Sequence, residues 1–199
     1  MNQRKSALHY SPTSDSDETL ARNFQQGELS AFDELMERYM QQALSVAYYY
    51  LRNWEDAKDA SQEAFVKLYQ SISSFNSTLR FRPWFFRILI NHCLNVKRKK
   101  KKIQFFSLFA FNDQNKQSAL LDVLDDGSFD SERDEVREIV WKALDKLSGK
   151  HREVVVLHDM EGFKEDEIAE ILNCSQGTVK SRLHYGRRKL RTLLSSYLK

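Results

Sequence analysis

Lys180, Arg182, Arg187, Arg188, Lys189 and Arg191 crowd a stretch that holds no Asp or Glu from residue 175 to the C-terminus. Cations at that density suit a polyanion. Val179, Leu183 and Leu190 recur at helical spacing, so one side of the same stretch should be buried while the basic side stays open. Ser175 stands where an N-cap hydroxyl could accept from an amide near Thr178. Just upstream, Ile168, Ala169, Ile171 and Leu172 predict a short amphipathic helix, which Asn173 and Cys174 interrupt. Two short helices, a tight turn and a basic second helix suit a helix-turn-helix. The cations would answer phosphate, and polar side chains near the helix start could reach base edges. On charge alone, a solvated basic face is the plainer reading.

The elements that must position this face are helical throughout. The 199 residues include only six Gly and two Pro, with little polar–apolar alternation, which predicts an all-α chain of one or two domains. A formal net charge of +3 is small, so any affinity for nucleic acid must come from local patches. Residues 97–102 are six consecutive basic residues, whereas Asp113, Asp122, Asp125, Asp126, Asp130, Glu132, Asp134, Glu135 and Glu138 crowd the middle. No apolar run is long enough to span a bilayer, and the N-terminus lacks the apolar core of a signal peptide. Two cysteines, Cys93 and Cys174, fit free thiols in a reducing compartment, which predicts a cytoplasmic protein.

In chain order, residues 1–15 read as a disordered tail and 16–102 as a first helical domain. Its first helix runs over about 16–25 and ends at Gly27. Ser30 should cap the second, with Asp33 in the capping-box position. Asn53 and Asp56 repeat the cap signal for a third helix, which turns Ala57, Ala60, Ala64, Phe65 and Leu68 inward. A polar loop over 71–80 leads to a fourth helix over about 83–102, with Pro83 in its first turn. Residues 103–131 read as an acidic linker of weak structure, and 132–199 as a second helical domain that ends in the helix-turn-helix.

Three blocks in this order resemble one family, the bacterial sigma-70 factors of the extracytoplasmic-function type, over about residues 17–102 and 132–195. The first runs from Asp56-Ala57-Lys58-Asp59-Ala60 through Ser61-Gln62-Glu63-Ala64-Phe65 and looks like the family's polymerase-docking helix. The second, from Phe81-Arg82-Pro83-Trp84-Phe85-Phe86 to Asn91-His92-Cys93-Leu94-Asn95, is similar to the helix that meets the −10 promoter element. The third, from Glu167-Ile168-Ala169 through Gly177-Thr178-Val179-Lys180-Ser181-Arg182, is like the −35-reading helix-turn-helix. Residues 103–131 are too few and too polar for the extra domain of larger members, so the resemblance is to the two-domain form.

The resemblance implies an alternative sigma factor that binds core RNA polymerase and directs it to promoters. Asp56, Asp59, Gln62 and Glu63 would meet the β′ coiled coil, with the β subunit also in contact. Ser74, Asn76, Trp84, Asn91, Asn95, Lys97 and Arg98 would serve the −10 element. Asn91 and Asn95 lie one helical turn apart and share a face, and melted bases need stacking and edge contacts. For Trp84, core packing is the plainer reading. Thr178, Lys180, Ser181, Arg182, His184, Tyr185, Arg187 and Arg188 would serve the −35 element, with Arg182, Arg187 and Arg188 toward phosphate. The acidic linker either imitates RNA in the polymerase channel or keeps the tether soluble. Family members are commonly held inactive by an anti-sigma factor, which makes one a candidate partner here.

Other classes fit less of the chain. His151, His158, His184, Cys93 and Cys174 have no compact metal-ligand spacing, and there is no Gly-rich phosphate loop, so neither metal nor cofactor is expected and an enzyme is disfavoured. A repressor or activator that binds duplex DNA alone would not require the acidic helix or the aromatic–Asn block. A protein that only sequesters a partner would leave the basic helix unexplained.

Overall fold

A computed structural model of the chain describes residues 15–110, 131–195 and 197, and the acidic stretch over 111–130 lies outside them. Among the described residues the secondary structure is helical, without strands. Helix α1 (Asp17–Gln25) is capped by Ser16, whose hydroxyl accepts from the Thr19 amide at 3.2 Å. Gly27, at φ +94°, turns the chain in the left-handed region that glycine alone adopts cheaply. Helix α2 (Leu29–Leu51) follows at once. The cap expected at Ser30 is therefore not formed: Glu28 is already extended, and Ser30 Oγ, inside the helix, donates to Glu28 Oε1 at 3.3 Å.

Helix α3 (Trp54–Ser71) starts as its sequence signals, with Asn53 Oδ1 accepting from the Asp56 amide at 2.9 Å. Helix α4 (Phe81–Ala110) runs past Lys102 into the segment expected to open the linker. Its apolar face, with Phe81, Phe85, Phe86 and Leu89 wholly buried, packs on α2 and α3, and the Phe65 and Phe85 ring centroids lie 4.8 Å apart.

The second unit comprises α5 (Ser131–Asp145), α6 (Gly149–Val155) with a π-helical turn over Val156–Met160, α7 (Glu165–Ile171) and α8 (Gln176–Leu194). Val154, Val155, Val156, Leu157, Ile168, Val179 and Leu183 form its core. Gly186 lets α8 lie against α6: a Cβ there would meet Val155 Cγ2 at 2.8 Å and the His151 carbonyl oxygen at 3.3 Å. The two units pack together. Phe86 of α4 and Phe163, in the loop before α7, meet edge to face at 4.8 Å, so one core runs through both.

Candidate nucleic-acid interface

The helix-turn-helix is assembled from local signals. Helix α7 begins where the Glu167 carboxylate accepts from the Lys164 amide at 2.8 Å. Asn173 takes φ +50°, a left-handed conformation that asparagine tolerates, and turns the chain between the helices. Ser175 Oγ then accepts from the Thr178 amide at 3.1 Å to start α8. With Val179, Leu183 and Gly186 buried, Lys180, Ser181, His184, Tyr185, Arg187 and Arg188 are left exposed.

These exposed groups are not equivalent. His184 and Tyr185 meet edge to face at 5.5 Å, and the Arg188 guanidinium lies 5.1 Å from the Tyr185 ring, so the three make one continuous contact surface. Ser181 Oγ donates to the Thr178 carbonyl at 3.0 Å, which leaves its hydroxyl as an acceptor for a ligand. Lys180 Nζ stands 3.7 Å from Glu165. Arg187 is engaged within the protein: its Nε donates to Asp159 Oδ2 at 3.0 Å, and its Nη2 lies 2.9 Å from His158 Nδ1. Burial alone would raise the Asp159 carboxyl, but hydrogen bonds from Arg187 and His158 hold it below the usual range. Arg182 is half-buried, and its charge opposes the rise that burial imposes on the Glu153 carboxyl. Of the three arginines set toward phosphate by sequence, Arg187 is ion-paired to Asp159, whereas Arg188 is exposed beside the Tyr185 ring.

On α4, Asn91 and Asn95 are exposed on one face, and Asn95 Oδ1 accepts from Arg98 Nη1 at 3.3 Å. Lys97 reaches the Tyr50 carbonyl at 3.4 Å. Between the asparagines, His92 Nδ1 lies 2.5 Å from Lys67 Nζ, and burial followed by the Lys67 charge lowers its pKa. Trp84 is half-buried, with its ring 4.8 Å from Phe75 and 6.0 Å from Phe81. In the preceding loop, Ser74 Oγ donates to the Ser71 carbonyl at 2.7 Å. Asn76 Oδ1 accepts from the Thr78 amide at 3.0 Å, closing a turn.

Sequence reasoning missed the residues that hold this loop. Gln25 Nε2 donates to the Ile72 and Phe75 carbonyls at 2.7 Å each, and Glu18 accepts from the Phe81 amide at 3.1 Å at the start of α4. It also missed Arg80, whose two terminal nitrogens bind Asp166 at 2.7 Å and Glu170 at 2.6 Å. Arg82 binds Glu167 at 3.2 Å and Gln42 at 3.1 Å. No local signal marks these partners, which lie far away along the chain.

On α3, Asp59, Gln62 and Glu63 are exposed, and Val66 and Tyr69 extend the exposed face by further turns. Asp56 is set apart: it is three-quarters covered and pairs with Lys100 of the basic run. Cys93 is buried, which pushes its thiol up to about 12, so it behaves as core. Among the described residues no three His, Cys, Asp or Glu side chains converge on a metal-sized site. None of the described helices is long and apolar enough to cross a membrane.

The profile of sigma-70 region 2 matches residues 35–103, and that of sigma-70 region 4 matches residues 137–190. The chain is 30% identical to the ECF RNA polymerase sigma factor SigW of Bacillus subtilis, over 87% of this chain and 94% of that protein. It is 29% identical to the ECF RNA polymerase sigma-E factor of Escherichia coli K12, over 86% of this chain and 90% of the other. Among solved structures, CnrH in complex with the cytosolic domain of CnrY superposes with a TM-score of 0.68 at 26% identity, covering 92% of this chain and 99% of that one. The sigma factor RpoE of Bartonella quintana, bound to the anti-sigma factor NepR, gives a TM-score of 0.64 at 26% identity, over 82% of this chain and 96% of that one.

Proposed function

The chain belongs to the extracytoplasmic-function sigma factors of the sigma-70 family, which give core RNA polymerase its promoter recognition at transcription initiation, and we propose how its helices divide that task. Asp59, Gln62 and Glu63 of α3 dock on the β′ coiled coil of core polymerase, with Asp56 steadied by Lys100. Asn91 and Asn95 of α4 meet the −10 element, and Lys97 and Arg98 follow its backbone. The loop through Ser74 and Asn76, closed over Trp84, receives an unstacked base. His184 and Tyr185, with Lys180, Ser181 and Thr178, read the −35 element, and Arg188 binds phosphate beside them. Arg182 and Arg187 orient α8 from within.

The observation that carries this division is the exposure of Asp59, Gln62 and Glu63, of Asn91 and Asn95, and of His184 and Arg188 on three helices of the two matched segments, each helix held by a buried apolar face. The protein performs no chemistry of its own: polymerase does, in the bacterial cytoplasm. An anti-sigma factor is a fitting regulator, since both structural relatives were solved with protein partners and one of those is named an anti-sigma factor. Run-off transcription with purified core polymerase tests the reading. Specific transcripts should appear only when the protein is added. A footprint on duplex DNA without polymerase, and no transcripts, would replace it with a repressor or activator.

A further inference from the structure

At the start of α4 an arginine from the first unit is held by two carboxylates of the second. Arg80 ends the polar loop immediately before Phe81, and its side chain is 38% exposed. Counting by helical turns, Trp84, Arg87, Asn91 and Arg98 follow on the same side, with Asn95 beside them. Arg87, Asn91, Asn95 and Arg98 are exposed. The face that offers asparagine amides to bases therefore carries arginines along its length, as a single strand with phosphates on one side and bases on the other requires.

The Arg80 end of this face is filled from the other unit. Asp166 and Glu170 stand four residues apart on α7, so their carboxylates are about one helical turn from each other. Each takes one guanidinium nitrogen, Asp166 at 2.7 Å and Glu170 at 2.6 Å. Two acidic oxygens held on a forked guanidinium satisfy it as phosphate oxygens would. Both carboxylates are half-exposed, at 50% and 51%, so these pairs are screened by solvent and weak, and a polyanion can displace them. The adjacent Arg82–Glu167 pair is different, being more buried and stacked on Phe163.

We propose that Arg80 is a phosphate-binding residue for the single strand of the melted promoter, and that Asp166 and Glu170 hold its place while the two units are packed. The inference rests on the sigma-factor reading of α4. Strand binding and closure then compete for one guanidinium, and promoter DNA itself helps to release the helix-turn-helix unit from α4.

The test uses the full-length protein and a fluorescent, mixed-sequence single-stranded DNA oligonucleotide at low salt, read by anisotropy. Asp166→Asn with Glu170→Gln should tighten binding several-fold. Adding Arg80→Gln should abolish that gain and reduce the salt dependence by about one phosphate contact, a slope change of roughly 0.7. Asp33→Asn with Glu37→Gln, the same charge change on exposed positions of α2, should leave affinity unchanged. No gain, an equal gain from the α2 pair, or a gain that survives Arg80→Gln would each overturn the proposal. Polymerase-dependent run-off transcription by the unaltered protein is read in parallel. Transcripts with a failed oligonucleotide test would sink this inference alone, whereas their absence would sink the sigma-factor assignment of the face.

Discussion

The guanidinium of Arg82 lies 4.0 Å from the centroid of the Phe163 ring, stacking the first turn of α4 on the loop that leads into α7. The same side chain binds Glu167, which is 9% exposed and also accepts from the Lys164 amide where α7 begins. One arginine thus joins the candidate −10 helix to the first helix of the helix-turn-helix.

Arg82→Ala should lower the stability of the full chain by about 2 kcal/mol, less than for a fully buried pair because Arg82 is a quarter exposed. Most of the loss comes from leaving the Glu167 carboxylate covered and unpaired. Arg82→Lys keeps the charge but loses the planar fork and the ring stacking, so it should recover less than half. Urea unfolding of the three proteins measures both effects.

Gly186→Ala brings a methyl group against Val155 Cγ2 at 2.8 Å. Overpacking of that kind costs about 1–3 kcal/mol, which outweighs the roughly 1 kcal/mol that alanine contributes as a better helix former. Net destabilisation is expected. Val155→Ala should cost less in the Gly186→Ala background than alone, and a double-mutant cycle without that coupling would refute the contact.

Gln62→Ala with Glu63→Ala should weaken core-polymerase binding by about tenfold, or ~1.4 kcal/mol, while leaving the melting temperature unchanged. Both side chains are exposed and belong to no core. Asp56→Ala should differ in kind, because it frees Lys100 as well as removing a docking candidate. Pull-down of purified core polymerase, paired with thermal melts, separates the two.

His184→Ala should relax base preference at one −35 position, a loss of roughly 1–3 kcal/mol of discrimination, while Arg188→Ala should weaken binding evenly across sequences. Transcription from a library of −35 variants reads the distinction. Preferences unchanged at every position would remove His184 from the reading surface.

Glu153 couples stability to pH. It sits on α6, where its Oε1 accepts from the Tyr50 hydroxyl of α2 at 2.5 Å. Burial raises its pKa, opposed by that hydrogen bond and by the Arg182 charge. A carboxyl raised in the folded state binds more protons there than in the unfolded chain, so its contribution to stability falls as pH climbs from the ordinary glutamate range through the raised value. Glu153→Gln keeps an oxygen for Tyr50 and cannot ionise. The stability difference between variant and wild type should therefore widen in favour of the variant as pH rises, and a difference flat with pH would rule the coupling out.

What the sequence determined by itself is whatever acts within a few residues. The Ser175–Thr178 and Asn53–Asp56 caps span three residues each, and the apolar spacing of α3, α4 and α8 assigns their buried faces without knowledge of a partner. The cap expected at Ser30 failed because Gly27 turned the chain early enough for α2 to begin at Leu29, a choice made between two neighbouring elements. The fates of Arg182 and Arg187 needed more. Their residue type suits phosphate equally well in either setting, but the packing of α8 on α6 and the π-helical turn pairs Arg187 with Asp159 and half-buries Arg182. Tertiary structure alone decided that the two helical units share a core and that Arg80 meets Asp166 and Glu170. Those partners stand 86 and 90 residues away, and no periodicity or cap carries information over that distance. The burial of Phe86 against Phe163, with Arg82 stacked on the same ring, brings the two segments together.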